Sequence, residues 1–290
     1  MDKTLNTVAG MPELKPQDFA LVRDLAYQKF GLDLRQGKER LVSSRLGKHI
    51  RAGGFASFDE YFRHVSSDST GEALVAMIDS LTTNHTSFLR EKQHFAFLTE
   101  TVLSGYLDRA ALDIWCAASS TGEEPYSILL SVYQELGSRR TPEVRILATD
   151  ISTRVLAIAR KATYTAERLT DLPVDWLRKY FLRGEGRSQG LYRIKPVWAS
   201  KVDFQRLNLM EPFPQTTGYQ AIFCRNVMIY FDQKTQEDVV NRLAARLEPG
   251  GYLFVGHAES LTAIRHNLQY VKPAVYRKPL AGTMMKRRTA

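Results

Sequence analysis

LDIWCAASSTGEEPYSILLSVYQEL, residues 112–136, is the stretch that decides the fold class. Its opening, LDIWCAAS, is an apolar run too short for a helix and ends in small polar residues, so it reads as a buried strand. EEPYSILLSVYQEL follows at once with apolar residues at helical spacing. The unit then repeats. EVRILATDIS (143–152) is a second apolar run ending in an acid, and STRVLAIARKATY (152–164) is again helical. Further on come YQAIFCRN (219–226), the helical TQEDVVNRLAARLEPGG (235–251) and YLFVGH (252–257). Strands alternating with helices predict an α/β fold with a doubly wound parallel sheet. LQYVKPAVYRK (268–278) closes the pattern as two short strands in a terminal hairpin.

One segment interrupts the alternation. Between Tyr164 and Asn208, DLPVDWLRKYFLRGEGRSQGLYRIKPVWASKVDFQRLNL (171–209) mixes aromatic and basic residues with Gly184, Gly186 and Gly190. It reads as a small β element inserted in the sheet topology. Upstream, the chain reads as helices. PQDFALVRDLAYQKFG (16–31) places Phe19, Val22, Leu25 and Ala26 on one stripe and stops at Gly31. GKERLVSSRLGKHIRAGG (37–54) has Leu41, Val42, Leu46 and Ile50 on its apolar side, with Arg40, Ser44, Lys48 and Arg51 opposite and Arg45 nearer the boundary. SFDEYFRHV (57–65) and GEALVAMIDSLTTN (71–84) are two more helices. The division predicted is a helical domain with its linker over 1–97, and an α/β domain over 98–290. The latter carries an insertion at about 168–204 and a basic tail at 280–290, disordered in its last residues.

Composition bounds the rest. The chain has 290 residues, 44% of them hydrophobic, which is ordinary for a globular protein. No apolar run approaches the roughly 20 residues that span a bilayer. MDKTLNTVAGMPELKPQDF lacks the apolar core of a signal peptide, which places the chain in the cytoplasm. Two cysteines, Cys116 and Cys224, exclude a disulfide scaffold and read as buried structural thiols. The six histidines show no H-E-x-x-H spacing, so no metal site is expected. His85 is expected to pack rather than act.

A formal net charge of +9 favours anionic partners. Residues 35–51 carry six basic groups against one acid, and residues 152–202 carry eleven against four. The tail from Lys272 onward adds six more and no acid.

Ligands of doubly wound sheets bind beyond the carboxyl ends of the strands. Ala117 to Glu124 forms a small-residue turn there, which lets a ligand approach the backbone. Asp150 ends the second strand, 28 residues beyond Gly122, where an acid usually grips ribose hydroxyls. A helix N-cap is the alternative for Asp150. Arg225-Asn226 ends a later strand. No G-x-G-x-x-G or Walker loop is present, and Glu123 and Glu124 at a helix start repel phosphate. A neutral or cationic nucleoside fits better, and S-adenosylmethionine, with its sulfonium and amino-acid tail, answers that description.

TTNHTSFLRE (82–91), AASSTGEEPYSI (117–128), LATDIS (147–152), LNLMEPFP (207–214) and FCRNVMIYF (223–231) strongly resemble the chemotaxis receptor methyltransferase family, CheR. The resemblance runs from about residue 15 to residue 279 with all five segments in order. It implies a helical domain, a Rossmann-like class I methyltransferase domain and an inserted antiparallel β subdomain. It further implies that Asn84, Thr86 and Arg90 reach the cofactor, and that Glu124 and Asp150 hold its amino-acid part and ribose. Asn208-Leu209 and Arg225-Asn226 flank its adenine and methionine ends. The family often has glycine and cysteine where this chain has Ala118 and Ser119; both replacements stay small.

The implied reaction is methyl transfer from S-adenosylmethionine to receptor glutamates, leaving S-adenosylhomocysteine. Arg90 and Tyr230 are expected to hold the incoming carboxylate. The implied partners are acidic receptor helices docking on Arg45, Lys48 and Arg51, and a receptor C-terminal peptide adding as a strand near Gly184, Gly186, Gly190 and Arg193. A monomer is expected. Two rival readings remain: an RNA methyltransferase exploiting the charge, and a catalytically silent nucleoside-binding scaffold. Against the first, the helical domain shows no aromatic-basic platform for single strands. Intact Arg90, Glu124, Asp150 and Asn226 weigh against the second.

Overall fold

Apolar residues spaced for helices dominate the first part of the chain, and helices form there. The computed structural model describes residues 13–82, 85–139, 142–213 and 215–280. Two compact units result, Met1–Asn84 and His85–Ala290. The first unit holds α1 (Pro16–Phe30), α2 (Glu39–Ala52), α3 (Phe58–Ser67) and α4 (Glu72–Leu81). Pro16 opens α1, where its missing N–H costs nothing, and Gly31 ends it at φ 67°. Val22, Ala26, Val42, Leu46, Ile50, Tyr61, Met77 and Leu81 form the unit's interior. Leu41 departs from expectation: it is 38% exposed, because one residue's rotation on the helix carries it away from the Val42–Leu46–Ile50 stripe.

The second unit begins with α5 (Gln93–Phe97), then β1 (Ala111–Cys116), α6 (Glu123–Leu136), β2 (Glu143–Asp150) and α7 (Thr153–Lys161). After it come β3 (Thr163–Thr165), α8 (Val174–Tyr180), β4 (Phe181–Arg183), β5 (Leu191–Ile194) and α9 (Pro196–Ala199). The unit ends with β6 (Val202–Arg206), β7 (Tyr219–Phe223), α10 (Gln233–Arg246), β8 (Leu247–Phe254), β9 (Gln269–Lys272) and β10 (Val275–Arg277). Residues 85–97, grouped above with the helical domain as its linker, pack here: Phe88, Phe95 and Phe97 are part of this unit's core.

The main sheet has the order β6-β2-β1-β7-β8-β10-β9. β6, β2, β1, β7 and β8 are parallel, with Ile114 opposite Ile146 on one side and Ala221 on the other. β10 pairs antiparallel with both β8 and β9, which is the hairpin expected at the end of the pattern. The pleat sends alternate residues to opposite faces. Leu112, Ile114, Cys116, Ile146 and Phe223 meet Tyr126, Leu129 and Leu156 on one face. Trp115, Ile222, Cys224 and Leu253 meet Val239, Val240 and Leu243 of α10 on the other. Both cysteines are buried and free. The inserted segment forms a separate three-stranded antiparallel sheet, β3-β5-β4, that starts earlier than expected, at Thr163 where the spacing predicts a helix, and ends before β6, which joins the main sheet. Among the described residues, no helix is long and apolar enough to cross a membrane. The leading residues 1–12 and the final basic tail, 281–290, lie outside the described residues.

Candidate functional site

The sheet order creates a crevice. The chain leaves β1 toward β2 on one side and later returns to β7 on the other, so the carboxyl ends of β1 and β7 flank the switch point where ligands bind. The loop after β1 is folded tightly there. Ser119 N donates to Thr149 O at 2.9 Å, and Ser120 N donates to Asp150 Oδ2 at 2.8 Å. Ser120 takes φ 47° and Gly122 φ 97°. A Cβ on Gly122 would lie 2.8 Å from the Tyr164 hydroxyl and 2.9 Å from Ala159 Cβ, so the turn has room only for glycine. Ser119 Oγ is buried without a hydrogen-bond partner among the described residues.

Asp150 sits at the end of β2 and also accepts Ser152 N at 3.0 Å. It is not the cap of α7. Ser152 takes that place, its hydroxyl accepting Val155 N at 3.4 Å. The β6 end comes alongside through Leu207 N donating to Asp150 O at 3.0 Å. Asn208 is buried and accepts Met210 N at 3.0 Å. Leu209 O accepts Arg242 Nη1 at 2.8 Å, and that guanidinium lies 3.8 Å over the Phe213 ring. Four strand ends therefore bring the loop 117–122, Asp150, Asn208-Leu209 and Arg225-Asn226 to one rim.

Buried charge lies beneath this rim. The Arg225 side chain is wholly buried, donating to Glu124 Oε2 at 2.6 Å and to Arg90 O at 2.6 Å, and pairing with Glu91 Oε2 at 2.9 Å. Burial pushes the Glu124 carboxyl up, and the Arg225 guanidinium pulls it back. The Arg90 guanidinium also favours the Glu124 carboxylate, so two guanidinium groups face the two carboxylates here. Cys116 Sγ donates to Glu124 Oε1 at 3.4 Å, and burial holds that thiol protonated. Glu123, also buried, accepts Thr121 Oγ1 and Arg168 Nη1, each at 2.6 Å.

The segment carrying Arg90 is pinned by its neighbours. Leu89 and Glu91 have φ 53° and 60°, and Leu89 N donates to Ser127 Oγ at 2.9 Å. Arg90 is half-buried and donates to His85 O at 2.9 Å; Thr86 is half-buried close by in the chain. His85 itself is exposed, against the expectation that it packs. Asn84 lies outside the described residues. Tyr230 closes a short 3-10 turn, Met228–Tyr230, and is half-buried against the core beside α10.

Sequence reasoning passed over three groups here. Glu259 is buried and accepts the backbone N–H groups of Asn226, Met228, Ile229 and Gly256; Glu91 pairs with Arg225; His94 is buried with neither ring nitrogen hydrogen-bonded. The usable signal was the strand-end rule, since Glu259 lies just beyond the β8 run. Glu91, His94 and His257 offer ligand atoms within 4.8 Å of one another, a grouping the histidine spacing did not reveal. Burial, with Arg225 adding, pushes His94 down to about 3.

The proposed docking residues lie elsewhere. In the first unit, Lys48 and Arg51 are exposed on α2, while Arg45 is half-buried and donates to the Leu81 carbonyl at the end of α4. In the inserted sheet, Gly184 N donates to Leu191 O at 2.8 Å, and a Cβ on Gly184 would collide with the Ser188 backbone. Gly186 and Gly190 have φ 57° and 85°. Arg193 is exposed on the central strand β5, between Thr163 and Leu182.

Comparison with known proteins adds the following. Residues 17–82 match the family model described as CheR methyltransferase, all-alpha domain, and residues 84–276 match CheR methyltransferase, SAM binding domain. The chain is 40% identical over 261 residues to chemotaxis protein methyltransferase 2 of Pseudomonas aeruginosa, covering 90% of this chain and 92% of that one. It is 38% identical over 264 residues to the chemotaxis protein methyltransferase of Escherichia coli, covering 91% of each. The chemotaxis protein methyltransferase of Borreliella burgdorferi is 36% identical over 262 residues, with 88% and 91% covered.

Proposed function

Because the chain belongs to the CheR methyltransferase family, with both its all-α and its S-adenosylmethionine-binding domains, we propose that it methylates glutamate side chains of chemoreceptors in the cytoplasm, forming methyl esters. The observation that carries this reading is the convergence of Asp150, Glu124, Asn208 and Arg225-Asn226 around the tight 117–122 loop at the switch point. The residues fit the cofactor chemically. Asp150 offers a charged acceptor to ribose hydroxyls, and Glu124 offers a carboxylate suited to the ammonium of the amino-acid part. Ser120 and Gly122 let the backbone come close.

S-adenosylmethionine supplies a methyl group made electrophilic by the sulfonium. The protein's task is orientation. A glutamate with a pKa of about 4.3 is already ionised at neutral pH, so no general base is needed. Arg90 and Tyr230 orient that carboxylate, and alignment is worth about 7–11 kcal/mol as effective molarity. Since the carboxylate loses its charge on reaction, a grip tighter in the ground state than in the transition state slows transfer. Exposed Lys48 and Arg51 draw an acidic receptor helix by long-range attraction. The outer strands of the inserted sheet suit a peptide adding as a further strand. The RNA-directed and silent-scaffold readings draw no support from the two family domains.

The test is transfer of labelled methyl from S-adenosylmethionine to membranes containing chemoreceptors, with and without the receptor C-terminal peptide. Base-labile label in the receptor band is the expected result, and its dependence on the peptide reports on the inserted sheet. Cofactor binding without label overturns the reading in favour of a scaffold.

A further inference from the structure

We propose that Glu259 is a positioning residue for methyl transfer, its carboxylate fastening the loop that follows β7 to the loop that follows β8; this rests on the function proposed above. Glu259 lies beyond β8, and its side chain turns back under the strand ends. Oε2 accepts Asn226 N at 2.7 Å and Gly256 N at 2.6 Å, and Oε1 accepts Ile229 N at 3.2 Å. The side chain is 93% buried by this packing (7% exposed), and it is satisfied by backbone N–H groups rather than by a cation.

The Asn226 and Ile229 N–H groups belong to a segment in an unusual conformation. Asn226 has φ 58°, a left-handed state uncommon outside glycine, and it follows Arg225 directly. Left to itself, the segment would relax toward ordinary backbone angles and leave buried donors unpaired. The two loops also approach very closely. A Cβ on Gly256 would stand 2.8 Å from Glu259 Oε2 and closer still to Asn226 Nδ2. Glu259 therefore holds Asn226 from one side of the turn and Ile229, next to Tyr230, from the other. Its role is to set where Asn226 and Tyr230 stand.

Charge and shape separate this role from simple packing. A carboxylate accepts on both oxygens, as several N–H donors, Met228 N–H among them, require. A glutamine of the same size has one accepting oxygen and must turn its NH2 toward another N–H. Its oxygen satisfies the close pair, Asn226 and Gly256, and its NH2 pushes Ile229 away, displacing Tyr230.

The experiment compares Glu259→Gln with wild type in two assays: calorimetric binding of S-adenosylhomocysteine and methyl transfer to receptor membranes. A fall of at least tenfold in kcat with affinity for S-adenosylhomocysteine kept within about threefold is expected. Glu248→Gln is the control. Glu248 lies at the opposite end of β8 and accepts the Tyr106 hydroxyl and Gln220 Nε2, so its loss lowers stability without lowering kcat. If Glu259→Gln does not fold, Glu259→Asp, which keeps the charge one methylene short, is read in the same assays with the same expectation. A folded variant with wild-type kcat, or one that loses only stability as Glu248→Gln does, overturns the inference. Failure of the wild type to bind S-adenosylhomocysteine or to transfer methyl overturns the underlying function, and this inference with it.

Discussion

Replacing Asp150 by alanine separates two consequences that share one side chain. The carboxylate braces the site from within, accepting Ser120 N at 2.8 Å and Ser152 N at 3.0 Å. Losing two half-exposed bonds to a charged acceptor, with water replacing part of each, costs about 2–3 kcal/mol of stability. For a domain of this size that is a drop of roughly 4–12 °C in Tm. The same carboxylate is the proposed partner of the cofactor's ribose. A hydroxyl pair bonded to a charged acceptor is worth about 1.5–3 kcal/mol, so binding should weaken roughly 10- to 150-fold. Calorimetric titration with S-adenosylhomocysteine measures the second effect, and thermal unfolding without ligand measures the first. If Tm falls while affinity stays at the wild-type value, Asp150 only braces the loop, and the ribose assignment is refuted.

Neutralising Lys48 and Arg51, both exposed on α2, should raise KM for receptor membranes with cofactor affinity intact, and the rise should shrink as salt screens the field. Adding Arg45 extends the effect but also removes its bond to the Leu81 carbonyl, so unfolding must be measured alongside; an unchanged KM abandons the docking role. His94 is held neutral in the folded protein, its pKa pushed down from 6.5 to about 3 chiefly by burial. Between those values the unfolded chain binds the extra proton, so this stability is complete above pH 6.5 and drains as pH falls, by up to about 1.4 kcal/mol per pH unit. His94→Phe keeps an aromatic ring where neither nitrogen is bonded, and should flatten that slope in urea unfolding between about pH 4 and 8; an unaltered slope refutes the assignment.

Much of this was legible in the chain because its signals are local. Periodicity marks α1 to α4 and, in the main sheet, β1, β2, β7, β8 and the final hairpin, whereas β6 was read as part of the inserted segment. Asp150 and Arg225-Asn226 stood out because strand ends in such sheets carry function. The partners of those residues were not legible. Arg225 reaches back 101 residues to Glu124 and 135 to the Arg90 carbonyl. Nothing in the local pattern at Glu259 announces that it serves Asn226, 33 residues earlier. Leu41 was misplaced because composition marks an apolar residue but not the width of the stripe it joins. Arg45, assigned wholly to docking, turned out to be half engaged by the end of α4, which the helical wheel of α2 alone does not show.

The amino-acid sequence by itself determined the alternation of strands and helices, the helical first unit, the inserted β segment and the residues at the strand ends. These follow from short-range physics: periodicity, turn chemistry and the conformational freedom of residues such as Gly122. The tertiary structure alone decided the strand order, and with it the switch point. It alone decided that one buried guanidinium serves two carboxylates, and that Glu259 ties two loops together. Hydrogen bonds and ion pairs act over a few ångströms, so which distant residues they join is settled only when the sheet brings their strand ends side by side.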